Sequence, residues 1–365
     1  MRKAGRSGVV VGLLALLAVA IVYPQVDSNS SNTTIAVFTL IFLGATVGWN
    51  ILAGYTGYIS LGHIAFFGIS AYALAIICQH WNIQGGYAPF FLVPVAGLIA
   101  AIIAIPVGWI VLRVRRHTFV VMTIAIFFIA QLLAENLTGI TNGSTGLTLP
   151  IPFDWGGTFY NIPFYYAALI VVLLALAISW WVRNSKFGLG LLAIRDDEDR
   201  ALGLGVKTGP SKLAAFVIAA FTMGMMGAIW GYFVESIYPS SVFDPTFDIA
   251  IALMAFLGGI GTLTGPVLGA VILEPAQQYI LSQPAYRDYY PIIYGALFLI
   301  VILLLPRGII PTLRDYWTRF QLARTRRETQ EEDIIVTPLP GKGDGSVLSS
   351  KADIAMREGR EGINL

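Results

Sequence analysis

The chain has 365 residues, of which 56% are hydrophobic and only 12% are charged, and its mean hydropathy is +0.73. Soluble globular domains carry about 25% charged residues, so this composition excludes an ordinary soluble protein and predicts an all-α protein that crosses the membrane several times. The formal net charge of +2 says little, whereas the positions of the charges along the chain are informative.

The apolar runs predict about ten transmembrane helices. The first covers residues 9–23; a signal peptide cleaved after Ala20 is the alternative, and we favour a retained span because signal h-regions are usually shorter. The other nine are close to the ~20 residues that cross a hydrocarbon core, except the short one from Phe247. They are predicted at residues 34–52, 64–80, 89–112, 118–137, 163–182, 213–234, 247–257, 266–281 and 289–305.

Basic residues cluster at alternate connections between these spans. They occur at the N-terminus, in residues 113–116, in residues 183–212 and from Arg307 onward, which leaves only Arg287 of the 23 Lys and Arg residues on the opposite side. Because cytoplasmic segments carry the excess of Lys and Arg, we predict that both termini are cytoplasmic. Residues 1–322 then form the transmembrane domain, and the polar residues 323–365 are expected to be a disordered tail.

Two uncharged, glycine-rich stretches interrupt the apolar pattern on the predicted cytoplasmic side. We name residues 54–68 the first glycine break and residues 257–269 the second glycine break. Unwound backbone at membrane depth is tolerated only against protein or a water-filled cavity, and interrupted helices often line substrate paths in transporters. Tight turns with close helix packing are the alternative interpretation. From the two breaks we predict a translocation path or gate at Gly54, Gly57, Ser60, Gly62, His63, Phe66, Phe67, Gly258 and Gly261.

Glu274 is added to this candidate path because it lies about ten residues into a predicted span and precedes Pro275. An ionisable group at that depth is costly and favours a functional role, and a hydrogen-bonded packing residue is the alternative. The two breaks also suggest an inverted repeat of spans one to five and six to ten. The breaks follow spans two and eight, however, whereas a strict repeat would place the second after span seven, so the repeat is a weak hypothesis.

Residues 183–212, which we name the polar island, form a charged segment between two predicted spans and must face water. Leu189, Leu192 and Ala193 recur at helical spacing and predict a short amphipathic helix, and one of the aspartates that follow can cap a second helix. A helix of this kind suits insertion into a groove on a partner. The alternative is a loop whose charges merely keep it solvated.

These stretches together resemble a known family, the permease subunits of bacterial ABC importers for branched-chain amino acids. Residues 57–68 are similar to its early signature, residues 185–203 to its cytoplasmic coupling loop, residues 258–269 to its late glycine motif and residues 306–309 to its closing motif. The motifs follow the family's order, although Leu189 stands where the family often has Arg.

The resemblance implies a multi-pass protein of the bacterial inner membrane that forms half of a translocation path. Its implied partners are a paralogous permease subunit, two ATP-binding subunits, an external or periplasmic substrate-binding protein and the lipid bilayer. The island would be the ATPase-coupling loop, and we expect a β-branched residue at Gly188 to leave insertion intact and to uncouple ATP hydrolysis from uptake. The contacts assigned to this loop are Phe187, Gly188, Leu192, Ala193, Arg195, Asp196, Asp197, Glu198 and Gly203.

No motif in the sequence indicates chemistry within the chain itself. The glycine-rich residues 341–346 lack the spacing of a phosphate-binding loop, and the single Cys78 lies in an apolar run. We therefore expect no catalytic residue, no bound metal or cofactor and no nucleic-acid partner, with ATP used by the partner subunits.

Other transport classes remain open from the sequence. Relatives of the family carry urea or short amides, and the residues do not separate these substrates. An ion-coupled secondary transporter would need ion-coordinating groups at mid-membrane, for which Glu274 is the only good candidate. A membrane-embedded enzyme would need several polar groups converging within the spans, whereas His63, His80 and His117 are scattered along the chain.

Overall fold

A computed structural model describes residues 18–26, 29–150, 160–283, 289–304, 308–313 and 316. The chain divides into two units, Met1–Thr312 and Leu313–Leu365, and the description below concerns the first. The predicted tail at residues 323–365 and most of the first predicted span lie outside the described residues; of that span, the described part belongs to helix α1 (residues 18–26).

The described part of the chain is almost wholly helical, which confirms the prediction of an all-α polytopic membrane protein. Each of the nine later predicted spans coincides with a helix. After α1 the elements are α2 (Ser30–Thr56), α3 (Ile64–His80), α4 (Ala88–Val111), α5 (Arg116–Asn136), α6 (Thr138–Thr141), β1 (Leu147–Thr148), α7 (Asn161–Asn184), α8 (Lys186–Asp196), α9 (Glu198–Gly203), α10 (Thr208–Val234), β2 (Ser236–Ile237), α11 (Pro239–Val242), α12 (Pro245–Gly258), α13 (Gly265–Ser282) and α14 (Tyr290–Leu304).

Six helical stretches among the described residues are long and apolar enough to cross a membrane, with α11 and α12 counted together as one of them. Helix α3 is apolar but has only 17 residues, fewer than the ~20 that a full crossing needs. The total of ten spans and the inverted repeat therefore stay predictions.

Helices α2 and α10 form the centre of the fold, and small residues let them approach closely. A Cβ at Gly44 of α2 would overlap the side chain of Met226, and one at Gly48 would overlap Thr222, both on α10. Close approach through small residues is the usual way in which membrane helices gain packing energy. Trp49 of α2, with no exposed surface, shows how completely this centre is covered.

Helix α12 begins about halfway along α2, so the connection between the spans predicted at residues 213–234 and 247–257 reaches into the bundle instead of ending at the level of the α2 terminus. The two helices run parallel, because the rings of Phe42 and Phe247 are 5.2 Å apart and Thr46 Oγ1 lies 3.6 Å from Met254 Sδ further along. Phe42 is twelve residues, or about 18 Å, from the start of α2. The chain after β2 thus folds inward. This buries the apolar side chains of Val242 and Phe243, which is more favourable than exposing them to water.

Helix α3 begins at the same depth, because Ile64 N donates a hydrogen bond to Asp248 Oδ2 (3.2 Å) in the first turn of α12. Residues 57–63 therefore return along α2 without helical structure, and Trp49 Nε1 donates to Ser60 O (2.8 Å) on the way. The amide of Leu61 donates to Thr123 Oγ1 of α5 (3.2 Å). This unwound backbone is covered by protein, as its position within the membrane requires.

Connections predicted to share one side of the membrane do contact each other. On one side β1 and β2 pair antiparallel, with Leu147 opposite Ile237. On the other side Arg115 and Asp199 form an ion pair of 3.4 Å between the α4–α5 connection and the island. These contacts agree with the predicted alternation of connections, and the placement of the island in the cytoplasm stays a prediction.

Candidate functional site

The polar island folds into two short capped helices. Ser185 Oγ accepts a hydrogen bond from Gly188 N (3.1 Å) at the start of α8. Asp197 is the aspartate that caps α9, because its Oδ1 accepts from Asp199 N (3.1 Å) and from Arg200 N (3.0 Å). Such caps satisfy amide groups that a helix start leaves unpaired. The island is thus an ordered element, which favours a docking surface over a loose solvated loop.

One face of α8 packs on the body of the chain. Leu191 and Ile194 have no exposed surface, and Gly188 is buried beside them. A Cβ at Gly188 would overlap the carbonyl oxygen of Val182, a backbone atom that cannot move away easily. Gly188 is therefore required by close packing within the chain, so a β-branched residue there is expected to disturb the fold of α8. The expectation that such a variant inserts normally and uncouples ATP hydrolysis from uptake stays a prediction.

The apolar face predicted for α8 lies at the surface of the chain. The side chain of Leu189 is 64% exposed, and Leu192 and Ala193 beside it are half-buried. Among the other residues assigned to the coupling loop, Asp196 is exposed, Phe187, Arg195, Asp197 and Glu198 are half-buried, and a Cβ at Gly203 would meet nothing within 4 Å. Helix α8 thus presents one apolar face to its own chain and another away from it.

Two arginines of the island reach the two glycine breaks. Arg195 Nη1 donates to Gly54 O (2.7 Å), in the last turn of α2. Arg183 Nη1 donates to Gly261 O in the second break. A cation beside the last carbonyls of a helix is favourable, because those carbonyls lack intrahelical partners and carry the negative end of the helix dipole. The island is therefore bonded to both breaks at once.

Asn50 joins the two breaks directly. Its Nδ2 donates to Thr262 O (3.0 Å), and its Oδ1 accepts from Gly261 N (2.8 Å). Gly261 has φ +78°, and a Cβ there would overlap Arg195 as well. Only glycine fits at position 261, where Asn50, Gly54 and the arginines converge. Close packing therefore explains why the predicted site residue Gly261 is a glycine.

A buried lysine connects the first break to the island. Lys212 is 5% exposed, and its Nζ forms an ion pair with Glu198 Oε1 (2.5 Å) and donates to the Tyr58 hydroxyl oxygen (3.1 Å). The Tyr58 hydroxyl in turn donates to Glu198 Oε2. Buried charges are tolerated when paired and hydrogen-bonded in this way. The network holds Tyr58 of the first break to both α9 and α10.

A cleft of about 540 Å³ opens beside this network. It combines basic groups of the α4–α5 connection with acidic groups of the island, and neither sign of charge predominates. Its lining includes Arg113, Arg115, His117, Asp196, Asp197, Asp199 and Leu202. A surface of mixed charge beside an exposed apolar side chain, here Leu202, is typical of a protein–protein contact with a polar rim.

The predicted path residues lie mostly inside the chain. Phe66 packs against Phe216, and Phe67 packs against Trp230, so both rings face the interior. A Cβ at Gly54 would overlap Asn50, one at Gly62 would overlap the carbonyl of Thr123, and one at Gly258 would overlap Gly265. Ser60 and His63 have no exposed surface, and Gly57 has φ +74° beside Arg195. The breaks thus form a compact, tightly packed junction.

Glu274 is also enclosed by protein. Its Oε1 accepts from Gln278 Nε2 (2.8 Å), one turn further along α13, while Oε2 has no hydrogen-bond partner within the described residues. Glu274 is the tenth residue of α13 and has no exposed surface. The described part of the chain contains no group of three or more His, Cys, Asp and Glu side chains that could hold a metal.

Sequence reasoning missed several residues that build this junction. Asn50 and Trp49 lie within an apolar helix and carry no motif of their own, and Tyr58 was within the first break without being singled out. Asp248 lies at the start of the short span predicted at residues 247–257 and carries no motif either. An isolated Asn or Asp in an apolar run is costly to bury, and that signal alone could have identified Asn50 and Asp248.

Comparison with known proteins identifies the family. The model of the family described as branched-chain amino acid transport system / permease component matches residues 31–302. The chain is 26% identical to the high-affinity branched-chain amino acid transport system permease protein LivM of Salmonella typhimurium over 327 residues, covering 83% of this chain and 75% of LivM. LivM of Escherichia coli K12 gives the same identity and coverage.

LivH, a permease protein of the same transport system in Salmonella typhimurium, is 27% identical over 291 residues, covering 75% of this chain and 94% of LivH. No solved structure matches the chain. The family model covers well over half of the sequence, including the island and both breaks. The chain therefore belongs to the branched-chain amino acid transport system permease family.

Proposed function

We propose that this chain is a transmembrane permease subunit of an ATP-driven importer for branched-chain amino acids, with both termini in the cytoplasm. Family membership and the names of LivM and LivH support the substrate class. The likeness to both LivM and LivH supports a pair of permease subunits that share the path. Two ATP-binding subunits and an external substrate-binding protein complete the assembly, and ATP is consumed by those partners.

The island is proposed as the contact with an ATP-binding subunit. The exposed face of α8 around Leu189 supplies the apolar part of that contact, and Asp196 and the neighbouring cleft supply a charged rim. The opposite face of α8 is packed on the chain, so a force on the exposed face moves the whole helix.

The observation that carries this proposal is the pair of arginine bonds from the island. Arg195 in the last turn of α8 bonds to Gly54, and Arg183 in the last turn of α7, where the island begins, bonds to Gly261. The island is thus attached at two points, one to each interruption of the helical pattern. Displacement of the island then reaches both breaks. We propose that the first break, with Phe66 and Phe67 at the start of α3, acts as the hinge of a gate whose movement opens and closes the path.

Reconstituted complexes test this proposal. With leucine as substrate, Arg195→Ala is expected to retain the ATP-binding subunits and ATP hydrolysis, while uptake per ATP falls about tenfold because a charge-assisted hydrogen bond is lost. Arg200→Ala is the matched control, because the Arg200 side chain is 85% exposed and forms its ion pair with Asp197 of the same island. Unchanged uptake per ATP in Arg195→Ala, or leucine uptake in complexes without the ATP-binding subunits, would overturn the proposal.

A further inference from the structure

Helix α12 contacts both ends of the first glycine break. Near its N-terminus, Asp248 Oδ2 accepts a hydrogen bond from the amide of Ile64, the first residue of α3 (3.2 Å). Just beyond its C-terminus, Gly261 N donates to Asn50 Oδ1 (2.8 Å), about one turn before Gly54. A single helix of 14 residues therefore spans from the point where α2 ends to the point where α3 begins.

Asp248 supplies a helix cap that the local sequence does not. His63 occupies the N-cap position of α3 and makes no side-chain capping bond. Asp248, 184 residues later in the chain, provides the acceptor for the Ile64 amide instead. A carboxylate at a helix N-terminus is favoured by the unpaired amides and by the dipole. The first amide of α3 is thus paired by α12, while the next two amides, of Ala65 and Phe66, donate to the carbonyls of the flanking residues Gly62 and His63.

Burying the side chain of Asp248 costs desolvation free energy. Its side chain is 2% exposed, and Oδ1 has no hydrogen-bond partner within the described residues. Buried acidic groups at membrane depth are rare because their desolvation is expensive. An apolar residue would fill the same space at a lower cost, so the contact with Ile64 is the feature that Asp248 adds.

We infer that Asp248 is a positioning residue through which α12 transmits displacement of the island to α3. Arg183, in the last turn of α7 directly before α8, is bonded to Gly261, which follows α12. Movement where the island joins α7 therefore pushes on the C-terminal end of α12. The helix is rigid along its axis, and Asp248 at the other end passes the movement to Ile64. This inference rests on the proposed function. It adds a route by which movement of the island reaches the start of α3.

The test uses the complete reconstituted complex and three substitutions at one position. Asp248→Ala removes the acceptor, Asp248→Ser keeps a polar group too short to reach Ile64, and Asp248→Asn keeps an oxygen acceptor without the charge. We expect Asp248→Ala and Asp248→Ser to hydrolyse ATP normally while leucine uptake per ATP falls about tenfold, and Asp248→Asn to stay within about twofold of the unmodified protein.

A distance measurement separates transmission from a merely structural role. Spin labels on cysteines placed at the exposed Ser31 and His80 report the outer ends of α2 and α3, and the fully buried Cys78 does not interfere. A nucleotide-dependent change in this distance should occur in the unmodified complex and in Asp248→Asn, and it should be absent in Asp248→Ala and Asp248→Ser.

Two outcomes distinguish failure of this inference from failure of the proposed function. If Arg195→Ala lowers uptake per ATP but Asp248→Ala and Asp248→Ser do not, the island is coupled by another route and Asp248 is not the positioning residue. If neither Arg195→Ala nor the Asp248 variants change uptake per ATP, the proposed coupling role of the island is itself wrong. Should Asp248→Ala not assemble, a preserved distance change in Asp248→Ser would still overturn the inference.

Discussion

At the scale of single residues, the junction depends on positions where a side chain has no room and on polar groups that reach far across the sequence. Gly188 lies against the carbonyl of Val182, and Gly261 lies against Arg195. Asn50 bonds to Thr262, 212 residues away. These contacts explain why glycines and an isolated asparagine occur where an apolar residue would otherwise suit the membrane.

Gly188→Val is expected to destabilise the permease by about 1–3 kcal/mol, because its side chain would overlap the backbone at Val182. The measurement is the thermal unfolding midpoint of the purified chain in detergent, together with its yield. Gly203→Ala is the control, since a Cβ there meets nothing within 4 Å. A folded Gly188→Val permease of normal stability would show that the packing at α8 is looser than described.

At the scale of elements, α8 is used on two faces. Leu191 and Ile194 pack inward and Leu189 points outward, so the helix is held by the chain and remains open to a partner. A helix of 11 residues is too short to be stable alone, and its caps and its buried face keep it folded. This arrangement suits an element that must receive a force without unfolding.

Leu189→Asp is expected to leave the permease folded and to weaken its hold on the ATP-binding subunits by about tenfold or more, since an unpaired carboxylate is costly to desolvate within an apolar contact. Co-purification and substrate-stimulated ATP hydrolysis measure the effect. Leu204→Asp makes the same change at a side chain that is 83% exposed and lies beyond α9. Equal losses in both variants would mean that the contact is not centred on α8.

At the scale of the whole described molecule, early and late helices are interleaved. α2 packs with α10, α12 and α13, while α3 and α4 also pack with α10. The β1–β2 ribbon joins two connections on one side, and the island joins both breaks on the other. The membrane-spanning part is therefore a single interleaved bundle, and the two sides differ in chemistry.

Cysteine labelling tests which side is cytoplasmic. In spheroplasts, a membrane-impermeant maleimide should label Ser144→Cys directly and Leu204→Cys only after permeabilisation, because the Lys and Arg residues of the island predict a cytoplasmic position for it. Both positions are exposed, and the native Cys78 is fully buried, which gives a low background. Direct labelling of Leu204→Cys in sealed spheroplasts would reverse the orientation.

The positions of the long apolar helices were predictable from the sequence, whereas the level at which α3 and α12 begin relative to α2 was not. Apolar runs reveal helices because membrane helices must be apolar over nearly their whole length. Nothing in that pattern shows that the chain before α12 turns inward, because Pro239–Val242 and the residues after it read equally well as an external loop. Depth is set by contacts such as Phe42 with Phe247, which link distant parts of the chain.

The sequence was enough to locate the island and the two glycine breaks, but not to show that they contact one another. Glycine content marked both breaks, and charge marked the island. Their meeting depends on Arg195 and Arg183, whose targets are backbone carbonyls of Gly54 and Gly261. Every residue has such a carbonyl, so no sequence pattern identifies which one an arginine will reach.

The interleaving of early and late helices has a consequence for biosynthesis. Asn50 enters the bilayer long before Thr262 is translated, 212 residues later. At about 5–20 residues per second, the ribosome needs roughly 10–40 s to supply that partner. During this interval the nascent α2 must keep an unpaired amide side chain in or beside the insertion machinery, so slow translation of the second half prolongs the period in which the chain is most exposed to quality-control proteases.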